Sequence, residues 1–303
     1  MLLIGPEAMF PILEATQLAP DIKRLRVAAP RVARKRLPGQ FVIVRVHERG
    51  ERIPLTIADS DPVRGDLTLV VQGVGKTTKL INALGPGDAL LDLLGPLGRP
   101  SEVARYGTAV VVGGGVGAAI AYPTAVALHR AGNRVVAILG ARRRELVVLE
   151  EELRRASDAL HLVTDDGSYG RRGLVTDALA AVLAAEPVDY VLAIGPVRMM
   201  RAVAEATRPR GIRTVVSLNS VMVDGTGMCG GCRVIVGGGS RFACVDGPEF
   251  DAHEVDFDVL EQRNAAYRQA EAEALERFLL EPAGDFALVP RCPLPGREAE
   301  APA

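Results

Sequence analysis

The stretch GTAVVVGGGVGAAIAYP, residues 107–123, passes from an apolar run through four glycines into a run of helix-forming residues. This order predicts a buried strand, a tight turn and a helix. The turn carries Gly113, Gly114, Gly115 and Gly117, and a helix N-terminus there offers unpaired N–H groups and a positive dipole end to a pyrophosphate. Ala118 occupies the place of the last glycine in G-x-G-x-x-G, so the stretch alone is also consistent with a plain strand–helix turn.

The pattern of strand and helix continues from this stretch to about residue 218. NRVVAILGA, HLVTDDGS and DYVLAIGP read as strands, with helices expected at 145–156 and 174–185. Such alternation predicts a parallel α/β domain over residues 104–218. Asp166, Gly167, Gly195 and Pro196 follow predicted strands, at the sheet edge where open α/β sheets bind ligands. We therefore expect a nucleotide-binding domain.

The flanking regions have a different character. Residues 1–103 contain short alternating runs (IKRLRVAAP, QFVIVRV, DLTLVVQG) broken by Pro and Gly, which predict a small antiparallel β-barrel. Residues 219–303 begin with a segment rich in Gly and Cys, continue with one long predicted helix at 257–281 and end in a Pro-rich tail that we expect to be loose. The predicted fold class is thus a β-barrel plus an α/β domain and a C-terminal segment.

The segment GVGKTTK, residues 73–79, looks like the end of a P-loop but lacks the required first glycine, since Val70 stands there. It also follows a β-rich region. Two interpretations remain, a phosphate-binding turn in which Lys76 supplies charge and Thr77 and Thr78 supply hydroxyls, or a solvated helix start.

Three of the four cysteines lie within DGTGMCGGCRVIVGGGSRFACVDG, residues 224–247. The spacing Asp224-x4-Cys229-x2-Cys232-x11-Cys244 equals the plant-type [2Fe–2S] pattern with aspartate in the first ligand position. A zinc site with three thiolates and one carboxylate, or no metal at all, are the alternatives. Cys292 lies in the predicted tail and is read as a bystander.

The overall composition excludes several classes of function. The formal net charge is −1, with 36 basic and 37 acidic residues, which gives no electrostatic footprint for nucleic acid. No apolar run reaches the ~20 residues of a membrane-spanning helix, and the first ten residues do not resemble a secretory signal. Clustered cysteines suit a metal site in a reducing compartment, so the expected location is the cytoplasm.

Taken together, the predicted barrel and the stretches VVGGGVG, TDDGSYG and GPVRMM resemble the ferredoxin–NADP reductase superfamily. The stretches ERIPLTIAD, GVGKTTKLI, LLGPLG and SLNSVMVDGTGMCGGCRV are more narrowly similar to the small subunit of NADH-dependent ferredoxin:NADP oxidoreductases, over about residues 1–280. That subunit is also known as the sulfide dehydrogenase β subunit. The electron-transfer subunit of dihydroorotate dehydrogenase is a related alternative, which has cysteine where this chain has Asp224.

The resemblance implies FAD on the barrel, a nicotinamide nucleotide, NAD(P)H, on the second domain and a [2Fe–2S] cluster on Asp224 and the three cysteines. The chain departs from the superfamily at two places. In the flavin motif Arg-x-Tyr-Ser/Thr, Ile53 and Leu55 take the first and third positions, and Ile194 stands where a cysteine is usual. The barrel residues assigned to cofactor binding are Arg52, Pro54, Leu55, Thr56, Gly75, Lys76, Thr77 and Thr78.

The function implied is that of an electron-transfer oxidoreductase subunit working with a larger flavin and iron–sulfur partner, itself similar to the glutamate synthase small subunit, with ferredoxin reached through that partner. A zinc-bearing regulatory subunit is the non-catalytic alternative. Arg142, Arg143 and Arg144 either bind a ribose 2′-phosphate, which favours NADPH, or form a solvated helix start. The resemblance favours NADH.

Overall fold

The computed structural model describes residues 9–292 and contains two seven-stranded sheets. The first is an antiparallel, nearly closed barrel with strand order β6-β1-β2-β5-β4-β3-β7. Its strands are β1 (Phe10–Ala19), β2 (Ile22–Ala28), β3 (Phe41–Arg45), β4 (Ile53–Asp61), β5 (Asp66–Gln72), β6 (Ala89–Leu90) and β7 (Asp92–Leu97). Helix α1 (Pro30–Ala33) follows β2, and α2 (Lys76–Ala83) follows β5. The inward-facing side chains, such as Leu25, Val27, Leu67 and Leu69, are fully buried, as the alternating pattern predicts.

The second sheet is parallel except at one edge, with order β11-β10-β9-β8-β12-β13-β16. Its strands are β8 (Thr108–Gly114), β9 (Arg134–Ala141), β10 (Ala159–Thr164), β11 (Arg171–Arg172), β12 (Tyr190–Ile194), β13 (Arg213–Ser217) and β16 (Glu249–Asp251). The helices between these strands are α3 (Gly117–Arg130), α4 (Glu150–Arg155), α5 (Val175–Ala185) and α6 (Val197–Thr207). The α/β prediction is confirmed, and β8 and β12 lie side by side at the point where the strand order reverses.

Residues 218–248 leave this sheet after β13 and return to it as β16, which pairs antiparallel with β13. Between them lies a hairpin of β14 (Arg233–Val236) and β15 (Gly239–Phe242), followed by the short helix α7 (Ala243–Asp246). The glycine- and cysteine-rich segment is therefore held at both ends by the nucleotide-domain sheet. Cys232 and Cys244 are each 1% exposed and belong to the same apolar core as that sheet.

The C-terminal part differs from the expected single helix and loose tail. The chain bends at Ala266 and Tyr267, which separates α8 (Phe257–Ala265) from α9 (Arg268–Leu280). The bend has a packing cause, because α8 buries Phe257 and Leu260 in the core of the parallel sheet whereas α9 buries Phe278 in the barrel core. A short helix α10 (Ala283–Phe286) follows, and Pro290 O accepts a hydrogen bond from Ala89 N at 2.9 Å.

The loose-tail prediction is thus wrong up to Cys292, whose N–H donates to Gly87 O at 3.0 Å. The remainder of the predicted tail, 293–303, lies outside the described residues, as do residues 1–8. A second local correction concerns the helix expected at 145–156, which begins only at Glu150 because Leu149 has a left-handed backbone with φ +58°. No helix within residues 9–292 has the length and apolar character needed to cross a membrane.

Candidate functional site

One large cleft, about 1080 Å³ in volume, runs between the barrel and the carboxyl edge of the parallel sheet. Most of its lining comes from three parts of the chain: strands β4 and β5 of the barrel, the ends of β8, β9, β10 and β12, and residues 217–222 at the end of β13 and beyond it. Ligands of open α/β sheets bind at this edge, where the strand order reverses. Of the residues predicted for cofactor binding, those that line the cleft are Pro54, Leu55, Thr56, Thr78, Gly114, Gly115, Gly117, Gly195 and Pro196.

The glycines of the first loop serve different purposes. Gly115 has φ +57°, and a Cβ added to it would meet nothing within 4 Å, so its hydrogen faces open space in the cleft. Gly117 opens α3, where a Cβ would clash with the backbone O of Ile194 on the neighbouring strand. Gly113 does not line the cleft and packs against Ala118. The first turn of α3 has no side-chain cap, so its N-terminus fits an anionic group of a ligand.

The barrel turn at residues 73–79 forms the N-terminus of α2. Gly75 is the N-cap residue and has no side chain to cap the N–H groups of the first turn, and a Cβ at Gly75 would meet open space, which fits a phosphate. The side chains around this turn already have partners within the protein. Lys76 Nζ lies 3.3 Å from Asp285 of α10, Thr77 donates to Glu51, and Thr78 Oγ1 accepts from Gly75 N at 2.9 Å.

The other predicted residues, Arg52, Gly75, Lys76, Thr77, Gly113, Asp166 and Gly167, lie outside the cleft lining. Arg52 is exposed just before β4, with its guanidinium 3.7 Å from the carboxylate of Asp92. Asp166 accepts hydrogen bonds from Ser168 N at 2.9 Å and Ser168 Oγ at 2.6 Å, and these bonds lower the pKa of its carboxyl. The neighbouring Gly167 is also outside the lining, whereas Asp165 is part of it.

Of the three arginines that follow β9, one lines the cleft and two do not. Arg142 lines the cleft. Arg143 lies 3.5 Å from Glu145, and the guanidinium of Arg144 stacks 5.1 Å from the ring centroid of Tyr169. Only the first of the three is therefore placed to meet a ligand in the cleft.

The four predicted cluster ligands form two contact pairs. The Asp224 carboxylate accepts from the backbone N–H groups of Thr226 at 2.9 Å and Cys229 at 2.8 Å, which lowers the pKa of its carboxyl. Cys232 Sγ accepts from Cys244 N at 3.4 Å. Burial, together with the neighbouring Cys232 thiol, raises the pKa of the Cys244 thiol to about 12.

Within residues 9–292 no three Cys, His, Asp or Glu side chains are grouped closely enough to hold a single metal ion. A [2Fe–2S] cluster makes a different demand, because each of its two irons takes two protein ligands. The pairs Asp224/Cys229 and Cys232/Cys244 match that demand in number and in donor chemistry. Gly225, Gly227 and Gly230 have positive φ angles and allow the backbone to wrap tightly here.

Comparison with known proteins agrees with this geometry. Residues 219–256 match the iron–sulfur cluster binding domain of dihydroorotate dehydrogenase B. A dihydroorotate dehydrogenase B (NAD(+)) electron transfer subunit homolog from Thermotoga maritima is 48% identical over 276 residues, which is 91% of this chain and 98% of the relative. The chain belongs to this family of electron-transfer subunits.

A second relative in the family and two solved structures extend the comparison. The electron transfer subunit of Bacillus caldolyticus is 37% identical over 84% of this chain and 99% of its own length. A solved chain of NADH-dependent reduced ferredoxin-NADP oxidoreductase, from work on flavin-based electron bifurcation, has a TM-score of 0.86 and 45% identity, covering 91% of this chain and 100% of that chain. The Amycolatopsis cytochrome P450 reductase shares the fold, with a TM-score of 0.57, 24% identity and 68% coverage of each chain.

Membership of the family confirms the resemblance inferred from the sequence and the electron-transfer class of the protein. It also confirms the predicted cofactor set for an electron-transfer subunit of this fold, namely FAD, a nicotinamide nucleotide and a [2Fe–2S] cluster. Zinc is disfavoured by the match of residues 219–256 to an iron–sulfur domain.

Sequence reasoning missed several lining residues of this electron-transfer subunit. Phe41 and Gln72 come from barrel strands, and Asn219, Ser220 and Met222 come from the irregular segment after β13. Phe41 pairs across β3 and β4 with Thr56, so it supplies an aromatic side chain to the cleft that lacks one at Leu55. Phe41 could have been found from the register of the two predicted strands. The residues of the irregular segment could not, because a segment without periodicity does not indicate which side chains face the cleft.

Proposed function

We propose that this chain transfers electrons between NAD(P)H and a larger redox partner, with FAD and NAD(P)H sharing the interdomain cleft and a [2Fe–2S] cluster in residues 219–256. The observation that carries the proposal is the composition of the cleft wall. Barrel strands, the glycine loop and the first residues of the iron–sulfur domain all face one space of about 1080 Å³. A ligand-filled cleft of this kind places the nicotinamide nucleotide and the flavin side by side, next to the segment that is proposed to hold the cluster.

On the nucleotide side, the proposed binding residues are Gly114, Gly115 and Gly117 for the pyrophosphate. The N-terminus of α3 supplies the positive end of a helix dipole there. Asp165 and Arg142 lie at the ends of the next two strands, where they contact the ribose or a further phosphate. Ile194, Gly195 and Pro196 line the cleft from the end of β12, beside the glycine loop.

On the flavin side, Pro54, Leu55 and Thr56 present the edge of β4 to the cleft, and Gln72 adds an amide from β5. The N-terminus of α2 at Gly75 holds phosphate oxygens through backbone N–H groups. Lys76 adds positive charge nearby, although its ammonium group is shared with Asp285. Arg52, Thr77, Gly113, Asp166 and Gly167 act indirectly, by shaping the elements that carry these groups.

The barrel residues of the cleft wall would hold a flavin, which would supply the link between two-electron exchange with NAD(P)H and one-electron transfer to a cluster. The protein orients the rings and excludes water. Phe41, Ile194 and Met222 are buried side chains of the cleft wall, exposed by 2%, 2% and 5%. These apolar side chains keep the space between the two domains dry, which protects a reduced ring from solvent.

The cluster region supports transfer to another protein. Asp224, Cys229 and the neighbouring Met228 lie at the surface, and Met228 is 89% exposed. The pair Cys232 and Cys244 lies in the core. One side of the proposed cluster therefore faces solvent, where a larger flavin and iron–sulfur subunit docks and through which ferredoxin is reached.

The proposal is tested by anaerobic purification followed by flavin, iron and acid-labile sulfide assays, and by rapid-mixing reduction with NADH and with NADPH. We expect about one FAD and one two-iron cluster per chain and bleaching of the flavin band by one or both nucleotides. Stoichiometric zinc without sulfide contradicts the cluster, and a flavin that neither nucleotide reduces contradicts the shared cleft.

The dihydroorotate dehydrogenase subunit is the second candidate, favoured by the names of the relatives from Thermotoga maritima and Bacillus caldolyticus. Asp224 is the observation against it, because the resemblance implies cysteine at that place in the dihydroorotate dehydrogenase subunit. Co-purification from the native source separates the two, since a dihydroorotate-oxidising partner supports the second candidate and a larger flavin and iron–sulfur subunit supports the first.

A further inference from the structure

Two opposite charges, Arg142 and Asp165, lie side by side at one end of the cleft. They follow the neighbouring strands β9 and β10, and Asp165 N donates to Ala141 O at 3.1 Å. Both side chains are exposed and line the cleft. Neither side chain forms a hydrogen bond or an ion pair with another residue of the described range 9–292. Both charged groups are therefore available to a ligand.

This end of the cleft fits the adenosine half of a nicotinamide nucleotide. The glycine loop after β8, where the pyrophosphate binds, lies between β9 and β12 in the order of the sheet. On the β12 and β13 side, Phe41 of the barrel and Met222 share one core and line the cleft together. The nicotinamide lies on that side, next to the flavin wall of the barrel. The adenosine half therefore lies on the other side, over the ends of β9 and β10.

Apolar side chains at the same end support this placement. Leu146, Leu174 and Val175 line the cleft, and Leu174 is 57% exposed. Val175 packs against Gly140, two residues before Arg142. A ligand site that combines an apolar wall with a few polar groups suits an adenine ring joined to a ribose. The ribose then lies beside the two charged side chains.

The other basic residues of this region do not form a clamp for a 2′-phosphate. Arg143 lies 3.5 Å from Glu145, and the guanidinium of Arg144 lies over the ring of Tyr169. The two arginines of β11 are also outside the cleft lining. A phosphate monoester carries about −1.5 to −2 charges at neutral pH. At this end of the cleft it would meet one free cation and one free carboxylate.

The general rule for dinucleotide-binding domains gives a different answer when it is applied to the sequence alone. An acidic residue about 20 residues after the glycine loop binds the ribose 2′-hydroxyl of NAD, whereas an arginine there accommodates the 2′-phosphate of NADP. In this chain the end of the second strand carries Arg142. The structure brings Asp165 from the next strand to the same place, so the carboxylate comes from a different element.

Building on the proposed function, we propose that Asp165 is a specificity-determining residue, whose carboxylate accepts a hydrogen bond from the adenosine ribose of NADH and repels the 2′-phosphate of NADPH. Arg142 balances the charge of Asp165 while that carboxylate is present. It becomes a ligand of a 2′-phosphate only when the charge at Asp165 is removed.

The experiment uses the full-length flavin-loaded protein as wild type, Asp165→Asn, the double variant Asp165→Asn/Arg142→Gln and the control Asp166→Asn. The control removes the same charge one residue away and keeps an acceptor for Ser168. Calorimetric titration gives the Kd for ADP-ribose and for 2′-phospho-ADP-ribose, two ligands that lack the nicotinamide ring. The rates of flavin reduction by NADH and by NADPH are measured in parallel.

Wild type should bind ADP-ribose at least about 10-fold more tightly than its 2′-phosphate, the effect of one hydrogen bond to a charged group. Asp165→Asn should abolish or reverse this preference, and the double variant should lose the affinity for 2′-phospho-ADP-ribose that Asp165→Asn gains. The reduction rates should follow the same order. Asp166→Asn should change the preference by less than about threefold, the effect of an exposed charge without direct contact.

Equal binding of the two ligands to wild type, or tighter binding of the phosphorylated one, overturns the inference. A wild-type preference retained by Asp165→Asn overturns it as well, and so does an equal loss in Asp166→Asn, since the effect then does not belong to the carboxylate in the cleft. Failure of both NADH and NADPH to reduce the wild-type flavin contradicts the proposed function instead, while the titrations still decide the role of Asp165.

Discussion

Replacing Glu249 with glutamine should flatten the dependence of stability on pH. Glu249 lies on β16, where it accepts a hydrogen bond from Ser101 Oγ at 2.7 Å, and Ser101 Oγ lies 2.8 Å from Thr124 Oγ1 of α3. It forms no ion pair with any residue of the described part of the chain. Burial, opposed only by the bond from Ser101, raises the pKa of Glu249 from an ordinary 4.5 to about 7.

The raised pKa sets both the direction and the size of the effect. Below pH 4.5 the carboxyl is protonated in the folded and unfolded chains alike, and its full contribution to stability is present. As the pH rises towards 7 the unfolded chain releases the proton first, so stability falls, and above about 7 the loss is complete. Since a tenfold change in proton affinity corresponds to about 1.4 kcal/mol, the loss amounts to at most about 3 kcal/mol.

The assay is thermal unfolding of wild type, Glu249→Gln and the exposed control Glu254→Gln from pH 5 to 8.5. Glutamine keeps the acceptor for Ser101 and carries no charge, so Glu249→Gln should melt near wild type at pH 5 and clearly above it at pH 8. The control should follow wild type throughout. Curves for wild type and Glu249→Gln that stay parallel over the whole range would refute a buried carboxyl of this kind.

Three further substitutions probe the site. Gly115→Val places a branched side chain at φ +57° in the open cleft, so reduction by NADH and NADPH should slow while flavin and cluster contents stay normal; wild-type reduction rates would mean that the nucleotide binds elsewhere. Gly117→Ala drives a methyl group into Ile194 O and should lower the free energy of unfolding by roughly 1–3 kcal/mol, measured as a lower melting temperature. An unchanged melting temperature would show that α3 shifts to accept the methyl group. Asp224→Cys should keep the cluster with an altered potential and optical spectrum, whereas Asp224→Ala should lose it and retain flavin; unchanged spectra in both variants would show that the carboxylate is not a ligand.

The sequence predicted the elements whose signal is local. The glycine loop at 113–117 and the strand ends at Gly195 and Pro196 followed from regular alternation of strand and helix, because parallel strands bring their carboxyl ends to one edge. None of this depended on distant contacts.

Features that depend on contacts between distant residues escaped prediction. The sequence does not indicate whether Asp165 or Asp166 faces the cleft. In the structure Asp166 accepts hydrogen bonds from Ser168 and lies outside the cleft lining, whereas Asp165 is part of it. The helix expected at 257–281 divides because its two halves pack on different domains, at Leu260 and at Phe278. Propensity along the chain carries no information on that choice.

The return of the chain through β16 has a mechanical consequence. Residues 218–248 leave and re-enter the same sheet, with Val216 paired to Phe250 and Ala252 N bonded to Thr214 O at 2.8 Å. Asp256 N further ties the region to Ile235 O at 2.9 Å. A redox centre on a long flexible tether must wait for the tether to swing, and its turnover slows in viscous solvent. A centre built into this anchored loop keeps a constant separation from the cleft, so the electron's internal step needs no diffusive search, and solvent viscosity can slow only the encounter with the partner protein.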